Sequence, residues 1–193
     1  MFNLVLFGPP GAGKGTQSMQ VAEKYRLAHI STGDIFRSEI RNETPLGLKV
    51  KSIIEKGELV PDELLIDLLR SAMHKYTDVR GFIFDGFPRT LRQASDLDDL
   101  LAEEGAKVNL TLALEVEDHE LITRLLIRAE REGRKDDTQE VIANRLNVYQ
   151  TQTRPLIDFY TKQGKFRAVH GQGTIGEIFD RLCKEIDVAL GYQ

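Results

Sequence analysis

LVLFGPPGAGKGT, residues 4–16, joins an apolar run to a turn rich in glycine and proline around a single lysine. The run reads as a buried strand, the turn as a loop, and the residues from about Gly13 onward as a helix. Backbone N–H groups of such a loop point inward, and the helix N-terminus adds positive potential, so phosphate oxygens fit there. Gly8, Gly11 and Gly13 let the backbone come close to a ligand, and Lys14 supplies a point charge for the outer phosphates. The general phosphate-loop pattern has Ser or Thr directly after the lysine. Here Gly15 intervenes before Thr16, which leaves open whether Thr16 touches a magnesium ion directly.

Working outward, short apolar runs alternate with longer amphipathic segments. NLVLF (3–7), LAHIS (27–31), GFIFD (81–85), LTLALEV (110–116) and FRAVH (166–170) read as strands. Most are apolar almost throughout, the mark of strands covered on both faces. Between them, Leu64, Leu65, Leu68 and Leu69, or Ile142, Leu146 and Tyr149, recur at helical spacing. Strand–helix–strand order repeated along one chain predicts an α/β fold, a five-stranded parallel sheet flanked by helices. The phosphate loop, STGDIFR (31–37) and DGFPRTLRQ (85–93) all start at carboxyl ends of strands, where open α/β sheets place ligands.

Two stretches sit outside this rhythm. Residues 32–60 hold two short helical patterns, separated by Pro45 and Gly47 and closed by Gly57. Pro61 suits the first turn of the next helix, with Asp62 and Glu63 near its N-terminus. AEREGRKDD (129–137) is polar, centred on Gly133, without a hydrophobic face. Asp137 followed by Glu140 resembles a capping box for the next helix, which Pro155 should kink or end. One domain is expected, with a core of 1–30, 61–127 and 138–193 and two mobile flaps at 31–60 and 128–137.

Composition narrows the partners. The chain has 193 residues, 41% hydrophobic and 29% charged, which fits one ordinary globular unit. A net charge of −4 argues against a general nucleic-acid or membrane surface, while leaving room for a cationic pocket. Cys183 is the single cysteine and the four histidines are scattered, so neither a disulfide nor a zinc site is expected. MFNLVLF lacks a basic flank and is cut short by Gly8, unlike a signal peptide, so a cytoplasmic protein is expected.

GPPGAGKGTQ, STGDIFR, FDGFPRTLRQ, RLLIRAEREGRKDD and IANRLNVY, in this order, resemble the motifs of the adenylate kinase family over nearly the whole chain. The resemblance implies a P-loop nucleoside monophosphate kinase fold and the reaction MgATP + AMP ⇌ 2 ADP. ATP and AMP would be the partners, Mg2+ (as MgATP) the cofactor, and the protein a monomer. Gly11, Ala12, Gly13, Lys14, Gly15, Thr16 and Arg128 would hold ATP phosphates, with Gly173 at the ATP adenine, where a plain turn glycine is the other reading. Asp85 would serve the magnesium, directly or through water. Arg37, Arg89, Arg134 and Arg145 would grip the acceptor phosphate, since guanidinium forks match phosphate. Arg124 and Arg128 stand four apart on one helix face, an unfavourable pair of like charges that an anion between them would explain. Lys14, Asp85 and the arginines other than Arg37 would form the catalytic set.

Thr32 and Gln93 would face the acceptor base, lined also by Glu58, Leu59, Val60, Gly86, Phe87 and Pro88. Uridylate–cytidylate kinases carry alanine and asparagine in those first two places, so the AMP-type choice stands here. Adenylate kinase lids are themselves a standard example of closure that excludes water, and residues 129–137 imply the short form without a zinc-bearing insert. Another nucleoside monophosphate kinase is the nearest rival. A P-loop switch is a second, though the chain has no Asn-Lys-x-Asp guanine-recognition segment.

Overall fold

Strand β1 (Asn3–Phe7) is buried at every position and lies in the middle of a five-stranded sheet of order β2-β3-β1-β4-β5. The other strands are β2 (Ala28–Ser31), β3 (Phe82–Asp85), β4 (Val108–Glu115) and β5 (Phe166–His170), and every pairing is parallel. The computed structural model describes residues 1–134 and 137–192. Alternate residues of β1 feed two cores. Val5 and Phe7 join one with Phe84, Leu97 and Tyr160, while Leu4 and Leu6 join the other with Val21, Leu121 and Leu182. Two covered faces explain why the strand is apolar from Leu4 to Phe7. FRAVH differs because β5 is an edge strand, buried only at Val169.

Helices α1 (Lys14–Tyr25), α2 (Thr32–Arg41), α3 (Pro45–Glu55), α4 (Glu63–Met73) and α5 (Leu91–Glu103) cover the first half of the chain. Helices α6 (Asp118–Glu132), α7 (Gln139–Val148), α8 (Leu156–Lys162) and α9 (Ile175–Leu190) follow. Several boundaries differ from expectation, each for a local reason. Pro45 and Gly47 do not separate two helices but lie inside α3. Thr44 caps it by accepting from Gly47 N–H, and Pro45 takes the first helical position. Pro61 precedes α4 rather than opening it, its carbonyl accepting from Leu64 N–H. The polar stretch after residue 128 is helical as far as Glu132, because Ala, Glu and Arg are good helix formers; left-handed Gly133 then ends α6. Beyond α7 the chain passes through one π turn (Tyr149–Thr153) before Pro155 leads into α8, so the break precedes the proline.

Gly47 shows how tightly α2 and α3 meet. A Cβ there would stand 2.1 Å from the carbonyl oxygen of Glu39, a backbone atom with no freedom to retreat. Gly47→Ala should therefore push the two helices apart, at a cost of about 1–3 kcal/mol. A lower urea midpoint with unchanged slope is the expected reading, and an unchanged midpoint would contradict the packing.

Candidate functional site

All the strands run the same way, so their carboxyl ends gather five connections along one edge. The first begins at Phe7. Gly8, Gly11 and Gly13 have φ of 149°, 84° and 90°. At Gly11 a Cβ would sit 2.9 Å from the backbone oxygen of Leu121, so both backbone and space demand glycine. Gly13 occupies the N-cap of α1 without any side-chain cap, which leaves the first-turn N–H groups turned toward the cleft. Lys14 folds back over the loop, its Nζ donating to the carbonyls of Gly8 (2.8 Å) and Pro9 (3.0 Å).

Burial lowers the Lys14 pKa to about 7. Asp85 pulls it upward, and Arg89, Arg145 and Arg128 add to the depression. The amine is thus poised between charged and neutral at physiological pH. Asp85 ends β3 buried, with Oδ2 3.7 Å from where a Cβ of Gly15 would be and 3.4 Å from His29 Nε2. Among the described residues, no group of three or more His, Cys, Asp or Glu side chains could hold a metal ion by itself.

Two adjoining compartments open over this edge. The larger is walled by Gly11, Gly13, Lys14, Gly15, Thr16 and Asp85 on one side and by Arg124, Arg128 and Glu132 on the other. Ala12 supports the loop from beneath, fully buried. The second compartment opens beside the first, between the start of α2, the end of β3 and the start of α5. Thr32, Glu58, Leu59, Val60 and Gln93 line it, so the structure brings together residues that are far apart in the chain. Arg37, Gly86, Arg89, Arg134 and Arg145 border both compartments. Pro88 borders a neighbouring recess beside Lys14, whereas Phe87 is in the core and lines none of these spaces.

The Gly86 carbonyl ties the walls of the second compartment together. It accepts from the Thr32 hydroxyl (3.0 Å) and from Arg89 Nε (2.7 Å). A side chain at Gly86 would come 3.0 Å from Arg89 Nη2 and 3.1 Å from Thr32 Oγ1, at a φ of +77°. Arg37 donates to Asp34 at 2.5 Å on the first turns of α2.

One carboxylate that the sequence reading assigned elsewhere organises the arginines. Asp137 does not cap α7; Thr138 does, accepting from Val141 N–H. The Asp137 side chain is fully buried instead. It accepts two bonds from Arg128 (2.7 and 2.8 Å) and one from Arg145 (2.6 Å), with Arg134 Nε 3.5 Å away. Arg124 pairs with Glu120 at 2.8 Å and donates to the Gly171 carbonyl at 3.2 Å. Arg124 and Arg128 are thus offset by different carboxylates, Glu120 and the shared Asp137. Gly173, in the same loop, has φ +119° and lies against Glu177, outside the walls of both compartments. His29 and Asp62 also take part unannounced by the sequence. A histidine inside a strand and an aspartate at a helix start each have an ordinary structural use.

A parallel sheet with a phosphate loop at its switch point, and a second cleft sharing its arginines, defines the P-loop nucleoside monophosphate kinase fold. The comparisons then specify the branch. Residues 6–165 match the family model described as adenylate kinase. The chain is 50% identical over 187 residues to the adenylate kinase of Bacteroides thetaiotaomicron, covering 97% of this chain and 99% of that one. It is 51% identical over 188 residues to that of Flavobacterium psychrophilum, covering 97% and 99%. A relative from Cyanothece sp., also named adenylate kinase, is 45% identical over 191 residues, or 99% of this chain and 98% of its own. The chain belongs to the adenylate kinase family.

Proposed function

We propose that the protein transfers the terminal phosphoryl group of ATP to AMP, reversibly, giving two ADP. One observation supports this most. A phosphate-loop compartment and a second pocket share Arg37, Arg89, Arg134 and Arg145 along their common border. A switch that only binds a triphosphate has no use for the second, arginine-bordered pocket.

The donor triphosphate lies along Gly11–Thr16, held by backbone N–H groups and by Lys14, with Arg128 and Arg124 opposite. The donor adenine lies beyond the phosphate compartment, against the backbone of Gly173, in the loop whose Gly171 carbonyl accepts from Arg124. The acceptor base lies between Thr32 and Gln93 against the backbone of Glu58, Leu59 and Val60. Its phosphate reaches Arg37 and Arg89. Arg134 and Arg145 then face the group in flight, where charge spreads over the phosphoryl oxygens. The acceptor is already an anion, so no side chain need act as base.

Magnesium belongs to the substrate, MgATP, and offsets charge on the donor oxygens. Asp85, buried at the loop and facing Gly15, fits a role toward that ion, and Thr16 borders the same compartment. The α2–α3 pair forms the acceptor flap. Residues 128–137 form the short lid, of which Lys135 and Asp136 lie outside the described residues. Closing both excludes water, the competing acceptor. No helix among the described residues is long and apolar enough to cross a membrane. We place the protein in the cytoplasm as a monomer.

The test is ADP formation from MgATP with AMP, CMP, UMP, GMP or no acceptor. Turnover with AMP, and almost none without an acceptor, is expected. Preference for CMP or UMP would keep the fold and overturn the roles of Thr32 and Gln93. Triphosphate binding without turnover on any acceptor would remove the kinase reading.

A further inference from the structure

We infer that Asp62 is the positioning residue that fixes the Gln93 amide in one orientation and thereby sets which purine edge the acceptor pocket takes. The inference rests on the acceptor reading above and adds a residue to it. Gln93 is only 2% exposed, and both ends of its amide have partners. Its Oε1 accepts from the backbone N–H of Arg89 at 2.7 Å, and its Nε2 donates to Asp62 Oδ1 at 2.7 Å. A backbone N–H can only donate and a carboxylate can only accept, so the two partners demand the same orientation. Turning the amide over would set donor against donor at Arg89 and acceptor against acceptor at Asp62, inside a buried site.

The position of Asp62 makes the contact informative. It holds the N-cap of α4, where an aspartate ordinarily accepts from its own helix, yet it makes no capping bond. Its carboxylate is turned to Gln93 instead, with Arg92 Nε 3.8 Å from the other oxygen. The same bond pins the strap of Glu58, Leu59 and Val60, which ends at Pro61, against the start of α5. Side-chain and backbone walls of the pocket are therefore held in one register.

With these bonds made, the amide keeps one N–H and one carbonyl lone pair for a ligand. Adenine offers the matching pair, an amino donor beside a bare ring nitrogen. Hypoxanthine and guanine offer the reverse, a carbonyl beside a ring N–H. The locked amide accepts the first edge and repels the second, and an unpaired buried polar group is a strong source of discrimination.

Inosine monophosphate isolates this effect, since it matches AMP in shape and reverses only the edge. Steady-state kcat and KM are to be measured for AMP and inosine monophosphate, on wild type, Asp62→Ala, Asp62→Ser and Asp62→Asn, with thermal midpoints alongside. In Asp62→Ala, KM for AMP should rise about tenfold and the AMP preference fall by about as much, with kcat changed less than about threefold. Asp62→Ser can cap α4 but is too short to reach Gln93, so it should behave alike even if the alanine variant folds poorly. Asp62→Asn offers the same carbonyl acceptor and should restore the preference. An unchanged preference in the alanine or serine variants, or an asparagine variant as indiscriminate as they are, would overturn the assignment. A wild-type enzyme that takes inosine monophosphate as readily as AMP would overturn the base reading itself.

Discussion

Replacing Lys14 with methionine should lower kcat/KM by about 10³-fold, the scale of losing one well-placed charge in a dry site. The fold should survive, because the lysine's partners are two carbonyls of its own loop, Gly8 and Pro9, and neither residue belongs to the two hydrophobic cores. The stability change has a definite sign. The lysine pKa in the folded protein is lowered to about 7, from the ordinary 10.5 of the unfolded chain. Below pH 7 both states carry the charge, and the folded state bears the whole cost of burying it. Between about 7 and 10.5 the unfolded chain holds a proton that the folded one has released, so this group's destabilising effect fades as pH rises. Methionine should therefore stabilise the protein most at low pH.

The same shift has a binding counterpart. A polyphosphate in the loop supplies the negative charge the amine lacks, so nucleotide binding near pH 8 should draw in a proton. Calorimetry of MgATP binding in buffers of different ionisation enthalpy reads that uptake. It should vanish in Lys14→Met, and uptake of equal size in the variant would place the proton on another group.

Asp137→Ala has the second large expected effect. It removes the buried carboxylate that accepts from Arg128 and Arg145 and that Arg134 approaches. Breaking a buried ionic cluster by removing one side costs on the order of 3 kcal/mol. The thermal midpoint should fall accordingly. Inorganic phosphate should recover more of it in the variant than in wild type, because a tetrahedral anion can take the place of the carboxylate. An unchanged midpoint with no difference in phosphate response would show that the cluster is not held by this residue.

Both predictions turn on residues whose legibility in the sequence was unequal. Lys14 could be read at once, because strand, glycines and lysine have a fixed local spacing that serves one chemistry. The parallel sheet was equally plain in β1, β3 and β4, whose apolar runs reflect burial on both faces. The edge strand β5 was found despite exposing most of its residues. Thr32, Gln93 and the strap at Glu58–Val60 line one pocket as the family motifs imply.

What escaped was the pairing of charges across elements. Local pattern reads Asp137 as part of a capping box and Asp62 as a favourable charge near a helix N-terminus. Their carboxylates turn instead toward arginines on α6 and α7, and toward an amide on α5. Only the folded arrangement brings those partners within reach. Gly47 is a similar case: its meaning lies in the backbone of α2, which no neighbour in sequence reveals.

The border shared by the two compartments has a consequence for reversibility. Arg37, Arg89, Arg134 and Arg145 face both, so the cleft meets the phosphates of two nucleotides as a single population. ATP with AMP, and ADP with ADP, contain the same number of phosphates. Moving one across the border redistributes negative charge without changing its total. A fixed set of guanidiniums then has nearly the same load before and after the reaction. Neither direction leaves the cleft over- or under-neutralised, so the bound substrates and bound products should be close in free energy, and the enzyme should work about as readily either way.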